Sequence, residues 1–176
     1  TLDRSSAASD VYKRQAYYYP EHWDESQWER DFKQMHDLGF EFTHFAEFAW
    51  AQLEPEEGKY DFFWLDKAVA LAAKYDLKVI MCTSTATPPV WLSRKYPEIL
   101  IKNENGTVLD HGARQHASFA SPVYRELAYK MIEKLAQHYG NDSRIIGRPY
   151  NLIIIRKPNW LSGIFCVKNI IMTLKH

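Results

Sequence analysis

Cysteine is scarce in this sequence, and its two cysteines are not arranged as metal ligands or as a redox pair. Cys82 and Cys166 stand far apart, so the chain has neither a C-x-x-C pair nor a zinc-binding spacing. A disulfide between them has no support in the sequence, and two ordinary thiols are the simpler interpretation. We expect neither a metal ion nor a cofactor.

An excess of charge of one sign is also missing. The 22 Lys and Arg residues balance 22 Asp and Glu residues, so the chain has no basic field for nucleic acid or anionic lipid. No apolar run reaches the roughly 18 residues of a membrane span, and residues 1–15 lack the apolar segment of a signal peptide. We predict no nucleic-acid partner and no membrane partner, and leave a cytoplasmic or a periplasmic location open.

Glycine is absent from the turn after the first predicted strand. That turn reads YYPEHWDES and cannot form the glycine-rich cradle of a dinucleotide-binding fold. Around it, strand and helix patterns alternate, which indicates a parallel sheet with right-handed crossovers. A doubly wound open sheet and a (β/α) barrel both fit this order. Rings and carboxylates follow the strands, where barrel enzymes keep their chemistry.

The predicted elements have clear start and stop signals. Asp24 caps a helix whose apolar residues end at Leu38, and Gly39 supplies its stop. Asp61 opens a second helix, and Ser121 a third that Gly140 closes. The predicted strands are AYYYP, FEFTHF, LKVIMC and the beginning of a fourth at RIIG. The acidic run EPEEG, residues 54–58, predicts a solvated loop rather than a catalytic pair.

Composition divides the chain into three segments. Residues 1–15 are small and polar without a sustained period and are predicted to be a non-native or disordered leader. Residues 16–147 carry the alternating pattern. Residues 148–176 contain no Asp or Glu and hold no helical period, so we predict a divergent and possibly out-of-frame tail, with a short basic strand pair as the alternative.

Four motifs resemble one family of enzymes, in order and at matching spacings. They are YYPEHW, EFAWAQLEPEEGKYDFFWLD, TATPPVWLSRKYPEIL and GARQHASFASPVYRE. On these residues the chain resembles the N-terminal barrel of the glycoside hydrolase family 42 β-galactosidases. The resemblance implies a partial (β/α)8 TIM barrel, about its first four βα units, and a β-galactoside substrate whose terminal galactose is released with retention of configuration. It also implies that full-length relatives form homo-oligomers.

The same resemblance implies three sugar-binding positions. Glu47 follows the second strand and would accept a sugar hydroxyl without being a catalyst. Arg114 would contact galactose through its forked guanidinium, although a surface arginine is the alternative. His44 stands where many relatives carry arginine, and a buried histidine with one hydrogen bond is equally open. His111 and His116 flank Arg114 without a metal-ligand spacing.

Aromatic residues make up 15% of the chain, and several lie close to Glu47. Trp23, Phe48 and Trp50 are predicted to pack the upper layer of the barrel, with one or two of them at most touching a sugar.

The sequence departs from the family at the position of the catalytic acid/base. A retaining glycosidase needs two carboxyl groups about 5 to 5.5 Å apart. The resemblance places Leu152 at the family's asparagine and Ile153 at its acid/base glutamate, and it places the nucleophile beyond the end of this chain. We expect a truncated piece of a β-galactosidase that is inactive by itself and marginally stable. A non-catalytic galactoside-binding protein is the alternative.

Overall fold

A computed structural model describes residues 15–112 and 116–146. The order is strand, helix, strand, helix, strand, helix, as the sequence predicts. The strands are β1 (Gln15–Tyr17), β2 (Phe42–Phe45) and β3 (Lys78–Met81). The helices are α1 (Glu25–Asp37), α2 (Trp50–Leu53), α3 (Phe63–Lys74), α4 (Val90–Lys95) and α5 (Pro122–Tyr139), with 3₁₀ turns at Pro20–His22 and Pro97–Ile99.

The three strands form a parallel sheet in the order β1-β2-β3. Tyr17 pairs with His44, and His44 pairs with Ile80, so these residues share one face of the sheet. The predicted fourth strand begins beside β3, where Ile145 makes a parallel bridge to Val79. The strands therefore lie in chain order, without the reversal that marks a doubly wound sheet.

The other face of the sheet packs against the helices. Phe45, Val79 and Met81 lie in one buried core with apolar residues of α1, α3 and α5. Phe32 of α1 is fully buried and lies 5.6 Å from the Phe45 ring, centroid to centroid. Helices on one face and strands in sequential order are the arrangement of a (β/α) barrel.

The predicted ends of α1 are confirmed, with one exception. The Asp24 carboxylate accepts the Ser26 N–H at 2.9 Å, which caps the first turn. Gly39 has φ 76°, and Phe40 N–H donates back to Met35 O, which closes the helix in a Schellman motif. Leu38, the last apolar residue of the predicted helix, is 64% exposed because α1 ends at Asp37, one residue before it.

The other predicted helices are also present. Asp61 accepts the Phe63 N–H at 2.9 Å at the start of α3, and Ser121 accepts the Tyr124 N–H at the start of α5. Gly140 follows the last residue of α5. Of the predicted domain boundaries, β1 begins at Gln15, the last residue of the predicted leader. Residues 1–14 and the tail, 148–176, lie outside the described residues.

Candidate active-site mouth

Glu47 is buried at the carboxyl end of β2, only 3% exposed. Its Oε2 accepts a hydrogen bond of 2.7 Å from the Tyr19 hydroxyl, which comes from the end of β1. Burial and then this hydrogen bond raise the pKa of Tyr19, so its hydroxyl stays protonated and donates to the carboxylate. The arrangement gives a buried carboxylate between the ends of two neighbouring strands.

Two residues in this region have a left-handed backbone conformation, and one of them directly precedes Glu47. Ala46 has φ 66°, and Ser84, after β3, has φ 59°. A left-handed conformation costs a residue with a Cβ about 1–2 kcal/mol. The Ser84 hydroxyl donates to Ala46 O, so the two left-handed residues are joined directly. Such strain is found where the surrounding structure fixes a turn, and it clusters at functional sites.

Glu21 lies beside the same turn, in the 3₁₀ turn after β1. Its Oε1 accepts the Phe48 N–H at 3.1 Å, and its backbone carbonyl accepts from the Gln52 side chain at 3.0 Å. Burial raises the pKa of Glu21, although the backbone hydrogen bonds oppose the shift. No local pattern singles out Glu21, because an acidic residue after proline is typical of an ordinary turn.

His44 lies on the face of the sheet opposite the helices. It is 1% exposed, its Nε2 hydrogen-bonds Gln15 Oε1 at 3.1 Å, and its ring stacks on Tyr17 with centroids 4.0 Å apart. Burial lowers the pKa of His44, while the negative charge of Glu47 partly offsets the shift. At neutral pH the ring is therefore an uncharged packing group.

The rings near Glu47 differ in what they contact. Trp50 is fully buried and donates through Nε1 to Glu54 at 2.7 Å, so it packs the interior. Phe48 is partly buried against Tyr19 and stacks on the His22 ring with centroids 5.3 Å apart. Trp23 is 53% exposed.

Glu54 does not behave as the acidic run EPEEG suggests. It is 2% exposed, and it accepts hydrogen bonds from Trp50 Nε1 at 2.7 Å and from Gly58 N–H at 2.8 Å. The prediction of a solvated loop is wrong for this residue, because the carboxylate turns inward to pair two donors. It holds for the following residues, including Glu56 and Glu57, which are exposed.

The comparison with known proteins gives the family. The model of a glycoside hydrolase family described as beta-galactosidase matches residues 17–149. The chain belongs to glycoside hydrolase family 42. It is 45% identical over 130 residues to a beta-galactosidase of Thermus thermophilus and 42% identical over 130 residues to beta-galactosidase Bga of Halorubrum lacusprofundi, which covers 74% of this chain in each case.

Solved structures of this family share the fold. The crystal structure of a beta-galactosidase from the psychrophilic Marinomonas ef1 superposes with a TM-score of 0.75 at 37% identity and covers 81% of this chain. The predicted partial TIM barrel is confirmed. The family-42 chain spans about a fifth of the length of the curated relatives, 19% of the Halorubrum and 20% of the Thermus protein.

The structure brings together only part of the predicted sugar site. Glu47 and His44 lie near each other at β2, whereas Arg114 lies outside the described residues. His111 Nδ1 lies 3.3 Å from the Ser93 hydroxyl, and its ring is 4.7 Å from that of His116. Ile153 also lies outside the described residues.

Residues 15–112 and 116–146 contain neither a candidate metal site nor a candidate membrane-spanning helix. No cluster of three or more His, Cys, Asp or Glu side chains there could hold a metal ion. None of the helices in that part of the chain has the length and apolar character to cross a membrane.

Proposed function

We propose that this chain supplies the first part of a β-galactosidase barrel and, with it, the part of the pocket that holds a terminal galactose. The observation that carries the proposal is Glu47, a carboxylate buried at a strand end and held by Tyr19. Ligands of barrel enzymes bind at this end of the strands. A carboxylate there can accept hydrogen bonds from two sugar hydroxyls.

In this proposal Glu47 is a binding residue and not a catalyst. The substrate is a terminal β-linked galactoside, by membership of the family. Arg114 is proposed as a second sugar contact on the family resemblance alone. His44 is the weakest of the three positions, because its Nε2 already bonds Gln15 and its ring stacks on Tyr17.

The 176-residue chain itself is proposed to be inactive. Ile153 occupies the position of the acid/base glutamate in the resemblance, and an alkyl side chain neither gives nor takes a proton. Loss of general acid assistance costs about a hundred- to ten-thousandfold in rate. Lactose has a sugar leaving group that needs this proton, so the purified chain should hydrolyse it at least about a hundredfold more slowly than a full-length family-42 β-galactosidase does. Hydrolysis of lactose at the rate of the full-length enzyme would contradict this assignment.

A hybrid enzyme tests the binding role. Residues 17–146 would replace the matching segment of the Thermus thermophilus enzyme, to which this chain is 45% identical over 130 residues. We expect the hybrid to hydrolyse p-nitrophenyl β-D-galactoside, and to do so faster than the matching glucoside or arabinoside. A hybrid that folds but hydrolyses none of them would overturn the proposed function.

Within the hybrid, Glu47→Ala should lower kcat/KM about 10- to 150-fold, because a hydrogen bond to a charged group contributes about 1.5–3 kcal/mol. Glu56→Ala is the matched control, since Glu56 is exposed and pairs with the exposed Lys59. If the two variants lose activity equally, Glu47 is not a sugar contact.

A further inference from the structure

Glu21 bonds to the turn that carries Glu47 and to the helix that follows this turn. Its carboxyl oxygen accepts the Phe48 N–H at 3.1 Å, one residue after Glu47. Its backbone carbonyl accepts from Gln52 in α2 at 3.0 Å. The 3₁₀ turn after β1 is thus fastened to the turn after β2 and to the helix that follows it.

The opposite side of this turn is hydrogen-bonded to the segment that follows β3. The Ser84 hydroxyl donates to Ala46 O, and Cys82 N–H donates to Phe45 O at 2.9 Å. Ala46 itself is in the left-handed conformation. A strained turn persists only when its surroundings fix it, and here the bond from Glu21 and the bond from Ser84 lie on its two sides.

We propose that Glu21 is a positioning residue for galactose binding. By accepting the Phe48 N–H it holds residues 46–48 so that the Glu47 carboxylate stays on the Tyr19 hydroxyl and at the end of the barrel strands. The inference rests on the proposed sugar-binding role of Glu47. The proposal concerns Oε1, which accepts the Phe48 N–H, whereas Oε2 is buried and has no hydrogen-bond partner among the described residues.

Two substitutions distinguish this positioning role from direct action of the Glu21 carboxylate and from an effect on stability alone. Glu21→Gln keeps an oxygen that can accept the Phe48 N–H, whereas Glu21→Met keeps the length of the side chain and loses the acceptor. In the hybrid enzyme, Glu21→Gln should leave KM within about threefold of the parent. Glu21→Met should raise KM by about tenfold with kcat little changed, as for the loss of one hydrogen bond that aligns a binding group.

Amide hydrogen exchange in the 176-residue chain supplies a readout that needs no sugar. The Phe48 amide should exchange faster in Glu21→Met and at the parent rate in Glu21→Gln. The Leu53 amide, which bonds Ala49 O at 2.9 Å, is an internal control and should be unchanged in both.

The outcomes distinguish this inference from the proposed function. An equal rise in KM for Gln and Met would mean that the carboxylate acts directly, and it would overturn the positioning role. An unchanged KM in Glu21→Met, with or without a lower melting temperature, would overturn it as well. An inactive parent hybrid would instead contradict the proposed function. Hydrogen exchange of the Phe48 amide would still report whether Glu21 holds the turn.

Discussion

On the helix-facing side of the sheet, Phe45, Val79 and Met81 pack into an apolar core, whereas the ends of the same strands carry buried Glu47 and left-handed Ala46. The first region gains free energy by removing apolar surface from water, about 25 cal/mol per Å². The second buries charge and strains the backbone, and each of these costs free energy. The difference indicates that stability comes from the core between the sheet and the helices, whereas the strand ends lower it.

The largest loss of stability should follow from removing a buried ring of the core between the sheet and the helices. Phe32→Ala removes a fully buried ring that lies against Tyr18 and Phe45, and it should lower the free energy of unfolding by about 3–5 kcal/mol. Phe63→Ala, at a ring 68% exposed, should change it by no more than about 0.5 kcal/mol. Urea denaturation would measure both. Equal losses would erase the distinction between the two regions.

A buried carboxylate near the strand ends should be the next most costly to remove. Glu54→Ala leaves the donors of Trp50 and Gly58 without their acceptor and should cost about 1–3 kcal/mol. Glu54→Gln keeps one acceptor oxygen and should cost less. A loss below about 0.5 kcal/mol for the alanine variant would mean that the carboxylate is solvated after all.

An alanine-to-glycine substitution should change the free energy of unfolding in opposite directions in the two regions. Ala68→Gly, inside the buried α3, should destabilise by about 1 kcal/mol or more, because glycine is a poor helix former. Ala46→Gly removes a left-handed Cβ and adds freedom to the unfolded chain, so it should stabilise by up to about 1 kcal/mol. Thermal melting of both variants checks the signs, and a similar loss in each would refute the strain at Ala46.

The smallest expected effect is on how the free energy of unfolding depends on pH. Burial raises the pKa of Glu21, so the folded state holds its proton more tightly than the unfolded state. Its contribution to stability is present at acidic pH below the ordinary glutamate value. That contribution is lost as the pH rises through the raised pKa, and Glu21→Gln should remove this fall.

The exposed Glu29 provides the opposite case for comparison. The hydrogen bond from Lys74 lowers its pKa, so its contribution is present above the ordinary value and lost as the pH falls. Denaturant midpoints should be measured from about pH 2 to 8, as differences from the parent chain. The Glu29→Gln difference should change below the ordinary glutamate pKa and the Glu21→Gln difference above it, with slopes of opposite sign. Slopes of the same sign would contradict the burial of Glu21.

The helices and the core beneath them could be predicted from the sequence, because helix caps and apolar periodicity are local patterns. Asp24 caps α1, Gly39 ends it, and Trp28, Phe32 and Met35 recur at helical spacing and are buried. Leu38 followed the same spacing but falls just past the helix end, and periodicity does not mark that boundary to one residue.

The strand ends could be predicted only in part. Glu47 was found because the family resemblance pointed to it. Glu21 was missed because its donor, the Phe48 N–H, is far away in sequence. Glu54 was missed because its donors, Trp50 and Gly58, are close in sequence but the acidic run around it is typical of a solvated loop. A left-handed alanine has no sequence signal either, since glycine is the residue that normally marks that conformation.

The bond between the Ser84 hydroxyl and Ala46 O has a consequence for length variation. Barrel enzymes commonly diversify by insertions in the segments that follow their strands. An extra residue between Phe45 and Glu47 would break this bond and rotate the carboxylate away, so both segments must keep their lengths together. The hairpin tip at residues 103–107 is exposed, and the Asn103 N–H donates to Thr107 O within the tip itself. Extra residues should therefore be tolerated there better than beside Ala46.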